Sequence, residues 1–161
     1  MTSASKEFKM HRSTADRLLK GLTERIAIYN DNPLKPYVVE RAVVFGSYVN
    51  APEREMLSDL DIGIKLTDRY EGKICKTAFE LEYDEILERC PLYRHRLEMP
   101  VAMWGLTYDD ALRYLRNRSH YISFHPIGGD AAIFSDVTQE IDVGEIDRST
   151  DWYDEWFGDN P

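Results

Sequence analysis

Two short hydrophobic segments joined by a polar loop constrain the fold of this chain most strongly. Residues 38–45 are rich in strand-forming side chains and end at Gly46 and Ser47, and a second strand-like segment covers residues 59–66. This pattern predicts two neighbouring strands with a sharp turn at the end of the first. Gly46 permits the turn and a close approach of the backbone to a ligand, while Ser47 and the amides after it supply donors for phosphate oxygens.

Two aspartates separated by one residue begin the second of these strands. Side chains at positions i and i+2 of a strand share a face, so Asp59 and Asp61 are expected to project together while Leu60 and Ile62 enter the core. Adjacent carboxylates repel each other, and their arrangement becomes favourable when a divalent cation lies between them. Hard oxygen ligands favour Mg²⁺ or Mn²⁺ over zinc. A phosphate-binding turn beside such a pair predicts a metal-nucleotide site.

The order Gly46-Ser47 followed by Asp59-x-Asp61, with a hydrophobic strand on each side, resembles the nucleotidyltransferase superfamily typified by DNA polymerase beta. The likeness is greatest to small stand-alone members of that superfamily. It implies that Gly46 and Ser47 contact a nucleoside triphosphate, that Asp59 and Asp61 hold magnesium ions, and that a third carboxylate on a neighbouring strand completes the catalytic site.

The chain departs from this family pattern directly after the Gly-Ser pair. Small members commonly carry a basic residue and a glycine there, whereas residues 48–52 read Tyr-Val-Asn-Ala-Pro, and the loop is slightly longer. The densest basic cluster in the body of the chain is instead formed by Arg113, Arg116 and Arg118. These arginines are expected either to meet a triphosphate or an acidic acceptor, or to pair with the acidic C-terminal residues.

Glu98 is our nominee for the third carboxylate. Residues 93–104 have the mixed composition of a third strand, and Glu98 is the only acid among them. Beside the aspartate pair it would orient or deprotonate an acceptor hydroxyl for in-line displacement at the alpha phosphate, with pyrophosphate leaving. Pro100 would remove a hydrogen-bond donor from the ladder, which indicates an edge strand or a bulge. The alternative is that Glu98 is a surface partner of a neighbouring arginine.

The remaining segments predict an α+β fold with a small mixed β-sheet flanked by α-helices, and the resemblance implies that their arrangement is nucleotidyltransferase-like. Helices are predicted to start at Ser13 and Thr107 and to span residues 72–90, and a further strand is predicted at residues 121–124. His120 and His125 flank that strand. We interpret both as surface or structural residues, because no ligands at zinc-site spacing accompany them.

The length and composition favour a single folded domain in the cytoplasm. A chain of 161 residues can bury a core unaided, and no apolar run approaches the roughly 20 residues of a membrane span. The N-terminal residues lack a hydrophobic secretory segment. Cys75 and Cys90 are too few for a disulfide framework and are expected to be buried thiols on one helix.

The net charge of −9 is concentrated at the C-terminal end. Residues 136–161 contain nine acidic side chains against Arg148 alone, so residues 1–135 are close to neutral and can still form a basic groove. We therefore expect a nucleotidyltransferase-like domain at 1–135 and an acidic tail at 136–161. Aromatic residues interleaved with the acids indicate that this tail docks onto the domain, onto a second copy in a homodimer, or onto a partner protein; they are Trp152, Tyr153, Trp156 and Phe157.

Two functions follow from these features. The first is a metal-dependent nucleotidyltransferase that moves a nucleoside monophosphate from a triphosphate to a hydroxyl of a small molecule, protein or RNA. The second is a binding module that keeps the fold but lacks turnover, such as an antitoxin-like partner of a toxin protein. The altered loop at residues 48–52 and the aromatic tail favour the second. The sequence does not identify the acceptor.

Overall fold

The computed structural model describes residues 9–91, 100–127 and 137–158 of the chain. These ranges contain six strands and five helices. They are, in chain order, β1 (Met10–His11), α1 (Arg12–Asp31), β2 (Tyr37–Phe45), α2 (Ser47–Asn50), β3 (Met56–Leu57), β4 (Leu60–Asp68), α3 (Gly72–Arg89), α4 (Pro100–Arg116), β5 (Ile122–Pro126), β6 (Gln139–Glu140) and α5 (Asp151–Phe157).

The centre of the structure is a four-stranded sheet in the order β5-β4-β2-β6. β2 pairs antiparallel with β4 and with β6, whereas β4 and β5 run parallel. A separate antiparallel ribbon pairs β1 with β3. The predicted α+β class with a mixed sheet and flanking helices is thus confirmed.

Alternation along β4 fixes which face of the sheet meets the helices. Leu60 and Ile62 have no exposed surface and Ile64 has 1%, so all three enter the core as the i, i+2 pattern predicts. The helices α1, α3 and α4 cover this face, and their contribution to the core includes Leu22, Ile26, Phe79 and Leu115. Each such side chain contributes about 1.5–3 kcal/mol on burial, so packing of the helices on this face stabilises the fold.

The predicted third strand at residues 93–104 is wrong from Pro100 onward, because α4 begins there. Proline suits the first position of a helix, since its φ is already helical and the N–H that it lacks would have no partner there. The helix start predicted at Thr107 is also wrong: the Thr107 hydroxyl donates back to the carbonyl of Met103 (2.9 Å) inside α4. Residues 93–99, with Glu98, lie outside the described ranges.

The first helix begins one residue before its predicted start. Its N-cap is His11, which makes no side-chain capping bond, so Ser13 lies inside the helix as its second residue. The predictions for α3 and for a strand near residues 121–124 are confirmed. Cys75 is buried and Cys90 half-buried, and both are free thiols.

Arg69, just beyond the end of β4, is 2% exposed and donates all five of its N–H groups to backbone carbonyls. We call this arrangement the Arg69 clamp. Its acceptors are the carbonyls of Tyr29, Asn30, Lys35, Tyr37 and Asp147. Three of them lie at or beyond the C-terminal end of α1, where unpaired carbonyls favour a cation. The clamp therefore ties α1, β2 and the C-terminal segment to one side chain.

The described part of the acidic tail packs against the body of the same chain. Asn30 is fully buried and donates to the carbonyls of both Val39 (3.0 Å) and Val143 (2.8 Å). Trp152 is 8% exposed, and its indole N–H donates to the Tyr70 hydroxyl (3.1 Å). These bonds hold residues 141–152 along the end of α1 and the edge of β2. No helix within the described ranges is long and apolar enough to cross a membrane.

Candidate functional site

Gly46 forms the corner between β2 and the one-turn helix α2. Its backbone has φ 74° and ψ −153°, a conformation open essentially to glycine alone. A Cβ atom added at this position would lie 2.6 Å from Oδ2 of Asp61. Glycine is therefore required here for two reasons, the dihedral angles and the close approach of the backbone to a carboxylate. Ser47 follows as the first residue of α2.

Asp59 directly precedes β4, one residue short of its predicted place in the strand, and Asp61 is the second residue of β4. Asp61 is paired with Phe45, the last residue of β2, so it lies beside the Gly46 corner. Burial raises the pKa of the Asp61 carboxyl, repulsion from Asp59 raises it further, and the hydrogen bond from His125 partly offsets both effects. Asp59 accepts a hydrogen bond from the Ser58 hydroxyl (3.2 Å). The two carboxylates thus interact unfavourably.

His125, on β5, joins this cluster. Its Nε2 lies 3.1 Å from Oδ1 of Asp61, and its ring packs edge-on against Phe45 with centroids 5.2 Å apart. His125 is exposed, as interpreted from the sequence, but its contact with Asp61 was not predicted. The signal that would have located it is the parallel register that places Ser123 beside Asp61 and His125 beside Gly63, which depends on strand pairing.

The strand that pairs with β4 beside Asp61 is β5, and its residues contain no acid. His125 is the β5 side chain that contacts Asp61. Glu98 lies outside the described residues, so its role as third carboxylate stays a prediction.

Arg12 holds the loop that connects the Gly46 corner to Asp59. Its guanidinium donates to the carbonyls of Tyr48 (2.9 Å), Ala51 (2.7 Å) and Arg54 (2.9 Å), and lies 5.1 Å from the centre of the Tyr48 ring. The Tyr48 hydroxyl in turn bonds Asp16 at 2.6 Å. The first turn of α1 therefore fixes the loop that departs from the family pattern. Sequence reasoning missed this contact because 36 to 42 residues separate its partners.

A polar cavity of about 490 Å³ lies on the Asp59 side of the pair. It is lined by Lys9, Arg54, Met56, Leu57 and Ser58, and the Ser58 hydroxyl connects it to the Asp59 carboxylate. Two cations thus line a cavity beside a site that lacks a basic residue directly after Gly-Ser. The ribbon of β1 and β3 brings Lys9 there, and nothing in the local sequence pattern indicates it.

The cluster Arg113, Arg116 and Arg118 lies elsewhere. These side chains line a cavity on the helical side of the sheet, and Arg116 lies 5.6 Å from the centre of the Phe124 ring. Leu60 and Ile62 face this helical layer, whereas Asp61 alternates to the opposite face. The arginines therefore do not complete the aspartate site, and in the described ranges neither Arg116 nor Arg118 forms an ion pair with the tail.

The aspartate pair suits a cation that shares its coordination with a ligand. Among the described residues, no three His, Cys, Asp or Glu side chains form a group arranged to hold a metal by themselves. Mg²⁺ typically binds through one or two carboxylates, several waters and substrate phosphates, and does not require a cage made only of protein ligands. Asp59 and Asp61 provide such a pair of oxygen ligands next to a corner where the backbone is open.

Comparisons of the chain with protein-family models, with curated proteins and with solved structures gave no match. The functional interpretation consequently depends on the geometry of the site itself.

Proposed function

We propose that this protein is a metal-dependent nucleotidyltransferase that transfers a nucleoside monophosphate from a triphosphate to a hydroxyl acceptor. The observation that carries the proposal is the contact between the Gly46 corner and Asp61, with Asp59 next to it. A side-chain-free corner against two mutually repelling carboxylates is costly for a fold alone and useful for a metal-bound triphosphate. It is also the arrangement that the Gly-Ser and Asp-x-Asp resemblance implies.

Each residue of the site has a role in this proposal. Asp59 and Asp61 would hold Mg²⁺ or Mn²⁺, which when bound neutralises phosphate charge and stabilises both the attacking and the leaving oxygen. Ser47 donates its hydroxyl to a phosphate oxygen, and Gly46 leaves space for that phosphate. His125 orients the Asp61 carboxylate through its hydrogen bond.

The polar cavity beside Asp59 provides an acceptor side. The attacking and leaving oxygens lie roughly in line across the phosphorus in phosphoryl transfer. With a triphosphate at Gly46 and Ser47, the cavity lined by Lys9 and Arg54, which meets Asp59 through Ser58, would receive the acceptor. These cations suit an anionic acceptor, and Glu98 would act on its hydroxyl if the nominated role holds.

One observation favours a second function, nucleotide binding without turnover. On β5 the side chain in contact with Asp61 belongs to His125 and is not a carboxylate. A site with two acids can retain a metal-bound nucleotide and still lack the group that activates the acceptor. The antitoxin-like interpretation belongs to this second function.

The decisive test is calorimetric binding of nucleoside triphosphates to the full chain, with Mg²⁺ and with EDTA. We expect magnesium-dependent binding that falls at least tenfold in Asp59→Asn/Asp61→Asn. The control Glu53→Gln/Glu55→Gln removes the same charge at the same spacing from exposed positions and should leave the affinity nearly unchanged. Absence of magnesium-dependent binding by the folded wild-type protein would contradict both functions. Release of pyrophosphate distinguishes transfer from binding alone.

A further inference from the structure

We propose that the cavity between α1, α3 and α4 is a second, metal-independent anion site that binds a nucleoside phosphate. We call it the helical cavity. Its volume is about 480 Å³, and it lies between the C-terminal halves of these three helices. That volume falls in the range of pockets that bind small molecules, roughly 300–1,000 Å³.

The charge of the helical cavity is opposite to that of the whole chain. The chain has a net charge of −9, yet among the described residues five cationic side chains and only two acidic ones line this cavity. The cations are Lys35, Arg89, Arg113, Arg116 and Arg118, and the acids are Glu85 and Asp110. A concave surface with excess positive charge attracts anions even on an acidic protein.

Lys35 and Arg89 already have carboxylate partners. Lys35 Nζ lies 3.1 Å from Glu82, and Arg89 lies 3.2 Å from Asp110. Arg116 instead lies over the Phe124 ring, and in the described part of the chain neither it nor Arg118 forms a salt bridge. Guanidinium groups without a carboxylate keep the planar pair of donors that matches a phosphate.

The backbone that carries Arg118 is held in an unusual conformation. Asn117 and Arg118 both have positive φ values, 48° and 62°, directly after the end of α4. Asparagine tolerates this region as a helix terminator, whereas arginine does so at a cost. The turn places Arg118 in the wall of the helical cavity with Arg116.

An apolar surface lies beside the arginines. The side chains of Ile28 and Tyr114 line the helical cavity and are 62% and 41% exposed. Tyr114 is supported from behind by Tyr29, with ring centroids 5.9 Å apart, and the bond from Arg25 Nε to the Leu115 carbonyl (2.8 Å) ties α1 to α4. An exposed, supported ring is a suitable stacking surface for a planar group. Cations and a stacking surface together match a phosphate joined to a nucleobase.

This site is independent of the aspartate pair. The helical cavity lies on the helix-covered side of the sheet, whereas Asp61 and His125 are on the other face. Binding in the helical cavity should therefore require neither Mg²⁺ nor Asp59 and Asp61.

The test is calorimetric titration of the full chain with AMP in EDTA. We expect binding that falls at least tenfold in Arg116→Ala/Arg118→Ala. The control Lys73→Ala/Lys76→Ala removes the same charge from exposed positions on α3 and should change the affinity less than twofold. Asp59→Asn/Asp61→Asn should bind AMP as the wild type does, which separates this proposal from the proposed function.

A second set of titrations tests the role of the Tyr114 ring and whether the ligand is a free nucleotide or a nucleic-acid strand. AMP should bind more tightly than ribose 5-phosphate, and Tyr114→Ala should remove the difference. Tighter binding of AMP than of a short oligoadenylate supports a free nucleotide as ligand, and the reverse order supports the same chemistry within a nucleic-acid strand. The proposal would be overturned if the folded wild type bound neither AMP nor oligoadenylate in EDTA. It would also be overturned if the arginine and lysine double variants lost equal affinity for AMP.

Discussion

At the far end of β4, Arg69 is buried with all five N–H groups donated to carbonyls. At the near end, Asp59 and Asp61 lie half-buried beside each other, and burial and mutual repulsion raise the pKa of Asp61. At one end of β4, Arg69 thus has every N–H group hydrogen-bonded. At the other end, the charges of Asp59 and Asp61 are only partly compensated. The far end stabilises the fold, and the near end is available to bind a ligand.

The largest effect should come from removing the Arg69 clamp. Arg69→Met removes one donor from each of five carbonyls, of which those of Tyr29 and Asn30 keep a backbone N–H partner. We expect the free energy of unfolding to fall by at least about 3 kcal/mol. The matched control is Arg41→Met, because Arg41 pairs with Glu140 on the surface, where an ion pair contributes less than about 1 kcal/mol. Urea unfolding followed by circular dichroism measures both. Similar losses for the two variants would show that the two arginines contribute equally.

An intermediate effect is expected at the Gly46 corner. Gly46→Ala should lower the free energy of unfolding by about 1–3 kcal/mol, because of its dihedral angles and because the new Cβ would meet Asp61. Gly105→Ala is the control. Nothing lies within 4 Å of the added Cβ inside α4, so this change should stabilise the protein by up to about 1 kcal/mol. Thermal unfolding of both variants gives the comparison, and a neutral Gly46→Ala would contradict it.

The smallest expected change is an increase in stability, for Asp61→Asn. Asp61→Asn removes a carboxylate whose ionised form is disfavoured in the fold, and should raise the free energy of unfolding at pH 7 by at most about 1 kcal/mol after solvent screening. Since the folded-state pKa is raised, the folded protein binds this proton first. The stability that the Asp61 carboxyl contributes to the wild type is therefore greatest at pH values below its ordinary pKa of 3.8. This contribution falls as the pH rises through the raised pKa of the folded state.

The gain in Asp61→Asn should accordingly appear over that same pH range and remain constant above it. Unfolding of both proteins at a series of pH values measures this difference. The exposed Asp84→Asn should show no such gain. A loss of stability in Asp61→Asn at pH 7 would mean that the bond to His125 outweighs burial and repulsion.

The near end of the sheet was partly predictable because its signals are local. Neighbouring residues suffice to predict the strand that ends before Gly46 and the strand that contains Asp61. They also predict the alternation that buries Leu60 and Ile62. His125 was not predictable, because its place depends on the parallel pairing of β4 with β5, which are separated by two helices. The helix α4 was missed at its start because Pro100 fits an edge strand as well as the first turn of a helix.

The buried environment of Arg69 at the far end of β4 could not be predicted from the sequence. An arginine just after a strand ordinarily indicates an exposed residue, and nothing near Arg69 reveals that it is surrounded by carbonyls. Those carbonyls come from residues 29–37 and from Asp147, so the environment exists only once distant segments have met. The same holds for the contact of Arg12 with the loop after Ser47.

The Arg69 clamp also has a consequence for the order of folding during synthesis. Its acceptors come from residues 29–37 and from residue 147, which follows Arg69 by 78 positions. While the ribosome is still adding these later residues, α1, β2 and β4 can pair, but one partner of the buried guanidinium is absent. The Arg69 clamp of the nascent chain therefore stays incomplete until Asp147 has left the exit tunnel. Only then can Arg69 form its bond to the Asp147 carbonyl.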